Sequence, residues 1–458
     1  MDRTVEDKPT IRPVEKPSTT IQTLSPEILA EIFMHCLPTY HDQRPIPNRS
    51  QAPWLLGSVC TRWWFVSTSS PDLWSTFMIA KSKRNHYPSI FDATKLCISR
   101  SGSRPLFIRI THPRSRNKRV LHREDFLPTI LDLIASHSWR WKVIEIDIPG
   151  KFGSVILSPF RTGHLPQLVN FTGYITGSLN TKEPLLLSIS SVPHLQTFHH
   201  VSSDRIRIDF GGQKHHIKIL NIRFPKGVGM SLDDLLSCLT YCPFLEELTL
   251  PIYEIWPSHH RQEIPSTIEL SRLREFSLTW SQNIDPGFLF DILFLPALQV
   301  LELSMDMDND AYADWPHLKV MLTRSRPPLQ SLRLFCITMK EQTLIDCISH
   351  TPSLVSLYVN GTECTDTTLN FLTMDENINI HSRRICPHLE TIDFDSRSHF
   401  STSAMIAMIL SRRPRPTNTN ICNEMKLKNI IYSSSVADSL TVSSHPEITE
   451  CMANGLYL

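Results

Sequence analysis

The chain has 458 residues, and its 46 Lys plus Arg against 45 Asp plus Glu leave a net charge of +1, which excludes a strongly basic nucleic-acid binder and an acidic solvating tail. Hydrophobic residues make up 41% and aromatics 9%, enough for large cores and too much for general disorder. Glycine is scarce at 14 residues while proline reaches 33, so phosphate-cradling glycine turns are few and prolines punctuate many short elements.

In chain order, residues 1–22 read as a flexible, charged and proline-rich lead-in, without the early apolar stretch of a signal peptide. A helix is predicted from Pro26, with Ser25 as N-cap and Glu27 in the first turn, where the helix dipole favours an anion. Ile28, Leu29, Ile32 and Phe33 form its apolar stripe. A proline-rich loop from Pro38 to Pro53 leads to a second predicted helix, Trp54 to Val66, and Ser70-Pro71 opens a short turn that ends at Leu73-Trp74. Trp63, Trp64 and Trp74 offer more apolar surface than a core of this size hides, which points to a partner surface.

These residues resemble the F-box motif: Leu24 to Leu29 match its first helix start, Val59-Cys60-Thr61-Arg62-Trp63 its Val-Cys-x-x-Trp helix, and Leu73-Trp74 its end. The spelling is most similar to F-box proteins of mushroom-forming fungi, as are Ser99 to Leu106 and Trp139-Arg140-Trp141. The resemblance covers residues 23–75 and implies a small all-α module that docks a Skp-family adaptor and, through it, a cullin. From the first helix it implies Leu24, Pro26, Ile28, Leu29, Ile32 and Phe33 as adaptor-binding residues. From the second it implies Leu56, Val59, Cys60, Trp63 and Trp64.

Segment 76–140 reads as a transition, with a strand at Leu106 to Ile110 and a helix at Phe126 to Ser136; the next strand is Trp141 to Ile148. Then one pattern returns: a proline, a spacer and L-x-x-L-x-L. Clear copies begin at Leu245, Leu273, Leu298, Leu329, Leu354 and Leu389, and weaker ones at Leu168, Leu195 and Ile217. Their mean step is about 28 residues. The L-x-L core alternates as a half-buried strand, and stretches such as Ser231 to Leu239, Leu344 to Ile348 and Ala404 to Leu410 read as helices between strands. The pattern resembles an irregular leucine-rich-repeat solenoid. The expected fold class is therefore mixed α/β: an all-α F-box module followed by a leucine-rich-repeat-like α/β solenoid over 141–458. Its strands would be parallel, and Gly455 to Leu458 would close it as a C-terminal cap.

Catalytic signatures are missing: there is no G-x-S-x-G, Walker loop, G-x-G-x-x-G or H-E-x-x-H. His199-His200, His215-His216 and His259-His260 would point to opposite strand faces. Asp306 to Asp310 lacks the glycine and glutamate of a calcium loop. The eleven cysteines include no C-x-x-C and read as mostly buried free thiols of a reducing compartment. The most apolar segment, Phe288 to Leu298, is too short and too interrupted to span a membrane. Arg114, Arg116, Lys118 and Arg119 read as a solvated loop. The expected protein is soluble and intracellular, nuclear or cytosolic. It needs no cofactor or metal, and touches neither nucleic acid nor membrane.

The expected function is that of a substrate receptor in a Skp–cullin–F-box type ubiquitin ligase, which itself catalyses nothing. A Skp-binding scaffold without a ubiquitin role is the alternative, and an enzyme with a site in the α/β body a further one. Residues between the two leucines of each L-x-L would face the open side of the sheet. That column reads Thr249, Ser277, Glu302, Arg333, Tyr358, Asp393, with Glu247 and Glu275 on one side and Phe335 and Asp395 on the other. Arg333, Phe335 and Tyr358, flanked by Glu275, Glu302 and Asp393, are the expected target-binding patch, suited to a basic segment with an apolar anchor.

Overall fold

The computed structural model describes residues 20–38, 50–80, 87–112, 127–163, 165–177, 184–254, 265–306, 314–374, 385–412, 427–432 and 439–458. The Arg114 to Arg119 cluster, His259-His260, Met307 to Asp310 and the lead-in up to Thr19 lie outside the described residues. The chain divides into two units, Met1–Thr111 and His112–Leu458.

In the N-terminal unit, α1 (Pro26–His35) begins where Ser25 is extended and its hydroxyl accepts from the Ile28 amide, with Pro26 in the first turn. Leu29 and Phe33 turn inward and are fully buried. The second helix starts later than the periodicity predicts. Leu56–Ser58 forms only a 3-10 turn, Cys60 is extended, and α2 spans Thr61–Ser69. The Ser58 hydroxyl donates to the Leu55 carbonyl. That local bond, next to the conformationally free Gly57, competes with helix propagation. The Arg62 guanidinium donates to the Gln22 and Leu24 carbonyls and so ties the start of α1 to α2. Trp63 packs on Phe33 with ring centroids 4.9 Å apart.

The turn Pro71–Trp74 leads into β1 (Thr76–Ala80), followed by α3 (Tyr87–Arg100) and β2 (Leu106–Thr111). β1 and β2 pair in parallel, Thr76 opposite Phe107. β1 and α3 are additions to the sequence expectation.

In the C-terminal unit, α4 (Leu127–Ala135) precedes β3 (Trp141–Pro149), the short α5 (Ser158–Thr162), β4 (Asn170–Thr176), β5 (Thr197–Ser202) and β6 (Ile219–Arg223). Then come α6 (Leu232–Tyr241), β7 (Glu247–Glu254) and β8 (Glu275–Ser281), and from β8 onward a helix separates successive strands: α7 (Gly287–Ile292), β9 (Val300–Asp306), α8 (His317–Ser325), β10 (Ser331–Phe335), α9 (Glu341–Ser349) and β11 (Ser356–Asn360). The series ends with α10 (Asp366–Leu372), β12 (Thr391–Phe394), α11 (Thr402–Ser411), β13 (Asn429–Ile431) and α12 (Pro446–Ala453).

From β3 to β13 each strand pairs in parallel with the next, in one open sheet. The nine leading apolar residues, Leu168 to Leu389, are all at most 1% exposed. Strand residues on the inner face meet the connecting helices. Phe171 and Phe198 pack on Phe160 of α5 at 5.0 and 5.9 Å, and Phe276 packs on Phe290 of α7 at 6.0 Å. The strand–helix expectation fails between β4 and β6, and among the described residues no helix lies between β7 and β8 either. Between β4 and β6, Leu185–Ser188 and Ile206–Asp209 form a second small parallel sheet; the second run, Ile-Arg-Ile-Asp, alternates with the period of a strand, whereas the first is a short apolar run. At the far end Leu456 is buried, and Tyr457 is bridged in parallel to Asn429, so the terminal residues do add to the sheet.

Successive units are also held by polar rungs that no sequence motif announces. Asp314 accepts from the Lys340 amide and the Thr343 hydroxyl ahead of α9. Glu341 accepts from the amides and hydroxyls of Thr365 and Thr368 at α10. Asp366 accepts from the Ser401 amide before α11. Each carboxylate thus serves donors left open at the start of the next helix. In the other direction Arg324 donates to the Phe290, Asp291 and Leu293 carbonyls at the end of α7. Arg412 does the same for Leu372, Ile385 and Cys386.

Arg412 is 4% exposed, and burial lowers its pKa to about 10. Arg412→Met would keep the volume and strand those carbonyls, so chemical denaturation should show a loss of roughly 2–4 kcal/mol. A loss below about 0.5 kcal/mol, the range of ordinary surface changes, would show that the Arg412 rung does not hold these units together.

Candidate functional site

Two surfaces carry side chains that folding alone does not explain. The first belongs to the N-terminal unit. Of the residues the sequence singles out there, Leu29, Phe33 and Leu56 are buried, and Leu24 and Trp63 are half-buried, Trp63 against Phe33. These residues build the interior of the helical pair. Pro26, Ile28, Ile32, Val59, Cys60 and Trp64 face outward. Ile28 and Ile32 lie one turn apart on α1 and are 52% and 38% exposed. Trp64 is 54% exposed, and its indole edge lies beside Gly57, 3.6 Å from where a Cβ would sit. Leu55 and Phe65 are exposed as well and were missed by the sequence reading. Phe65 could have been found: once Trp63, Val66 and Ser67 are assigned inward, its position on α2 is outward.

The second surface is the side of the C-terminal sheet opposite the helices. The strand pairings reproduce the column expected from the sequence: Thr249, Ser277, Glu302, Arg333, Tyr358 and Asp393 are successive partners. Glu247, Glu275 and Val300 form the adjoining row, and Ser304, Phe335 and Asn360 the row beyond. The structure adds two features to the expected patch. Phe335 is half-buried, like Arg333 and Tyr358, with Ser304 and Asn360 beside it on the flanking strands. Arg333 is already engaged: its guanidinium lies 5.0 Å from the Tyr358 ring centroid and 3.4 Å from the Glu302 carboxylate.

Carboxylates dominate what remains. Burial, then the neighbouring Glu275 and Glu246, push the Glu247 pKa up; burial, then Asp395, do the same for Asp393. Among the described residues, Glu275 and Asp393 have no ion-pair or side-chain hydrogen-bond partner.

No family model matches this chain, and no curated protein matches it significantly.

Elsewhere, His199 and His200 do point to opposite faces, half-buried and fully buried. Cys238 and Cys242 are both buried, and burial raises their thiol pKa values, that of Cys242 to about 12. Among the described residues no three His, Cys, Asp or Glu side chains are grouped to hold a metal ion, and no helix is long and apolar enough to cross a membrane.

Proposed function

We propose that this chain is the substrate-receptor subunit of a Skp–cullin–F-box type ubiquitin ligase. The observation that carries the reading is the outward set Ile28, Ile32, Val59 and Trp64 on a helical pair whose spelling resembles the F-box. A small unit with several exposed large apolar residues on one segment gains by covering them with a partner. In this reading the buried Leu29, Phe33 and Leu56 shape the module, while the outward residues meet the Skp-family adaptor. The C-terminal unit is a leucine-rich-repeat-like solenoid that offers its sheet face to a target protein. Catalysis is by positioning: the target is held near a ubiquitin-charged enzyme on the assembled complex, and the chain contributes no reacting group.

The test is affinity purification of the full chain beside its Ile32→Asp/Trp64→Ala variant, with mass spectrometry of the co-purified proteins. The intact chain should bring down a Skp-type adaptor and a cullin, and the variant, with circular dichroism unchanged, should lose both. Equal recovery from the two would reject the docking assignment. Ubiquitin transfer to a co-purified protein would separate a receptor from a scaffold.

A further inference from the structure

The outer column does not stop at Asp393. In the register of β12 and β13, Asp393 is the partner of Ile431, and Asn429 is bridged in parallel to Tyr457. Paired residues of parallel strands direct their side chains to the same side. Ile431 and Tyr457 therefore share the face of Tyr358 and Asp393, and they are 53% and 73% exposed. With strands about 4.8 Å apart, Tyr358, Asp393 and Ile431 fall within about 10 Å of one another.

Asp393 is half-buried among these apolar and aromatic neighbours, without a hydrogen-bond or ion-pair partner among the described residues. The adjacent Asp395 is occupied by the turn, accepting from the Gly361 and Arg397 amides at 3.0 and 3.2 Å. Arg333 is committed to Tyr358 and Glu302, on the far side of Tyr358 from Asp393. A partly desolvated, unpaired carboxylate is costly unless a cation covers it.

We propose that this end of the sheet face binds a protein segment that presents a Lys or Arg to Asp393 and flanking apolar side chains to Tyr358, Ile431 and Tyr457. The carboxylates Glu247 and Glu275, farther along the face, extend the same preference for positive charge. The inference deepens the target-binding role proposed above and rests on it for the meaning of the bound segment, although the binding itself requires no adaptor.

The experiment probes the full chain with an arrayed peptide library in which charge and apolar content vary independently. The intact chain should retain peptides with Lys or Arg beside large apolar residues. Asp393→Arg should lower their retention at least about tenfold, or about 1.4 kcal/mol, and move the preference toward acidic peptides. Ile431→Ser/Tyr457→Ala should weaken retention without changing the charge preference. Retention of no peptide, retention without a preference for basic residues, or an Asp393→Arg profile equal to that of the intact chain would overturn the inference. Adaptor pull-down from the same preparation separates the two claims. Adaptor capture without a basic preference rejects this inference alone, and a basic preference without adaptor capture rejects the receptor reading alone.

Discussion

Trp74→Ala is expected to unfold the N-terminal unit. The indole is 1% exposed, donates from Nε1 to the Ser67 carbonyl at 2.7 Å, meets Trp54 edge-on at 5.0 Å and lies 4.4 Å beneath the Arg100 guanidinium. It thus joins the end of α2, the loop before it and α3 in one cluster. Truncating a buried Trp costs about 3–5 kcal/mol, a large share of what a unit this small can hold. Limited proteolysis should cleave the variant within residues 50–110 while the C-terminal unit survives. A protease-resistant N-terminal unit would show that the helical pair does not depend on this cluster. Trp64→Ala removes a residue of the same size from the surface and should leave the unit folded.

His200→Leu should make the C-terminal unit markedly less sensitive to acid. His200 points into the interior between Phe171 and Phe198, with ring centroids 6.1 and 6.0 Å away, and neither ring nitrogen has a hydrogen-bond partner. Its room comes from Gly173 on the neighbouring strand, where a Cβ would lie 2.9 Å from Nδ1. Burial, then His199, lower its pKa to about 3, so the folded protein keeps it neutral through weakly acidic pH. The unfolded chain takes up that proton near the ordinary histidine pKa of about 6.5. Stability is therefore lost as pH falls from about 6.5 toward about 3, at up to roughly 1.4 kcal/mol per pH unit from this one group. Leu removes this proton uptake and also an unsatisfied buried polar group. Urea midpoints of the two proteins should diverge steadily from neutral pH to about pH 4. Parallel curves would show that His200 is solvated or paired in the folded state.

Much of the sheet was legible because the inner face is written as spaced leucines. The positions 168 to 389 named every strand from β4 to β12, and the alternation within L-x-L fixed which residues face outward. β13 escaped because its copy, Leu427 to Ile431, is short and preceded by a polar, proline-containing stretch. With it went Ile431, 53% exposed, and the place of Tyr457, which lies in the expected closing segment, beside the outer column. β1 was missed because a short apolar run such as Thr76 to Ala80 carries no periodicity that separates strand from loop, whereas α3 was legible in principle, since its buried Ile90, Thr94, Cys97 and Ile98 recur at helical spacing. The polar rungs were illegible for a different reason: Glu341 and Arg412 look like ordinary surface charges, and only stacking brings each to the open end of a neighbouring helix. In the helical pair, apolar spacing identified a stripe but did not divide it. Ile28 and Leu29 are adjacent in the chain, and packing alone decides that Leu29 is interior and Ile28 is not.

Docking through the outward face of the helical pair is tested most directly by the affinity of a purified Skp-family adaptor for the full chain, measured by calorimetric titration. Binding should be saturable and one-to-one, weakened at least about tenfold by Ile32→Asp/Trp64→Ala and unchanged by Asp393→Arg. An absence of binding, or equal affinity of the intact chain and the Ile32→Asp/Trp64→Ala variant, would contradict this docking.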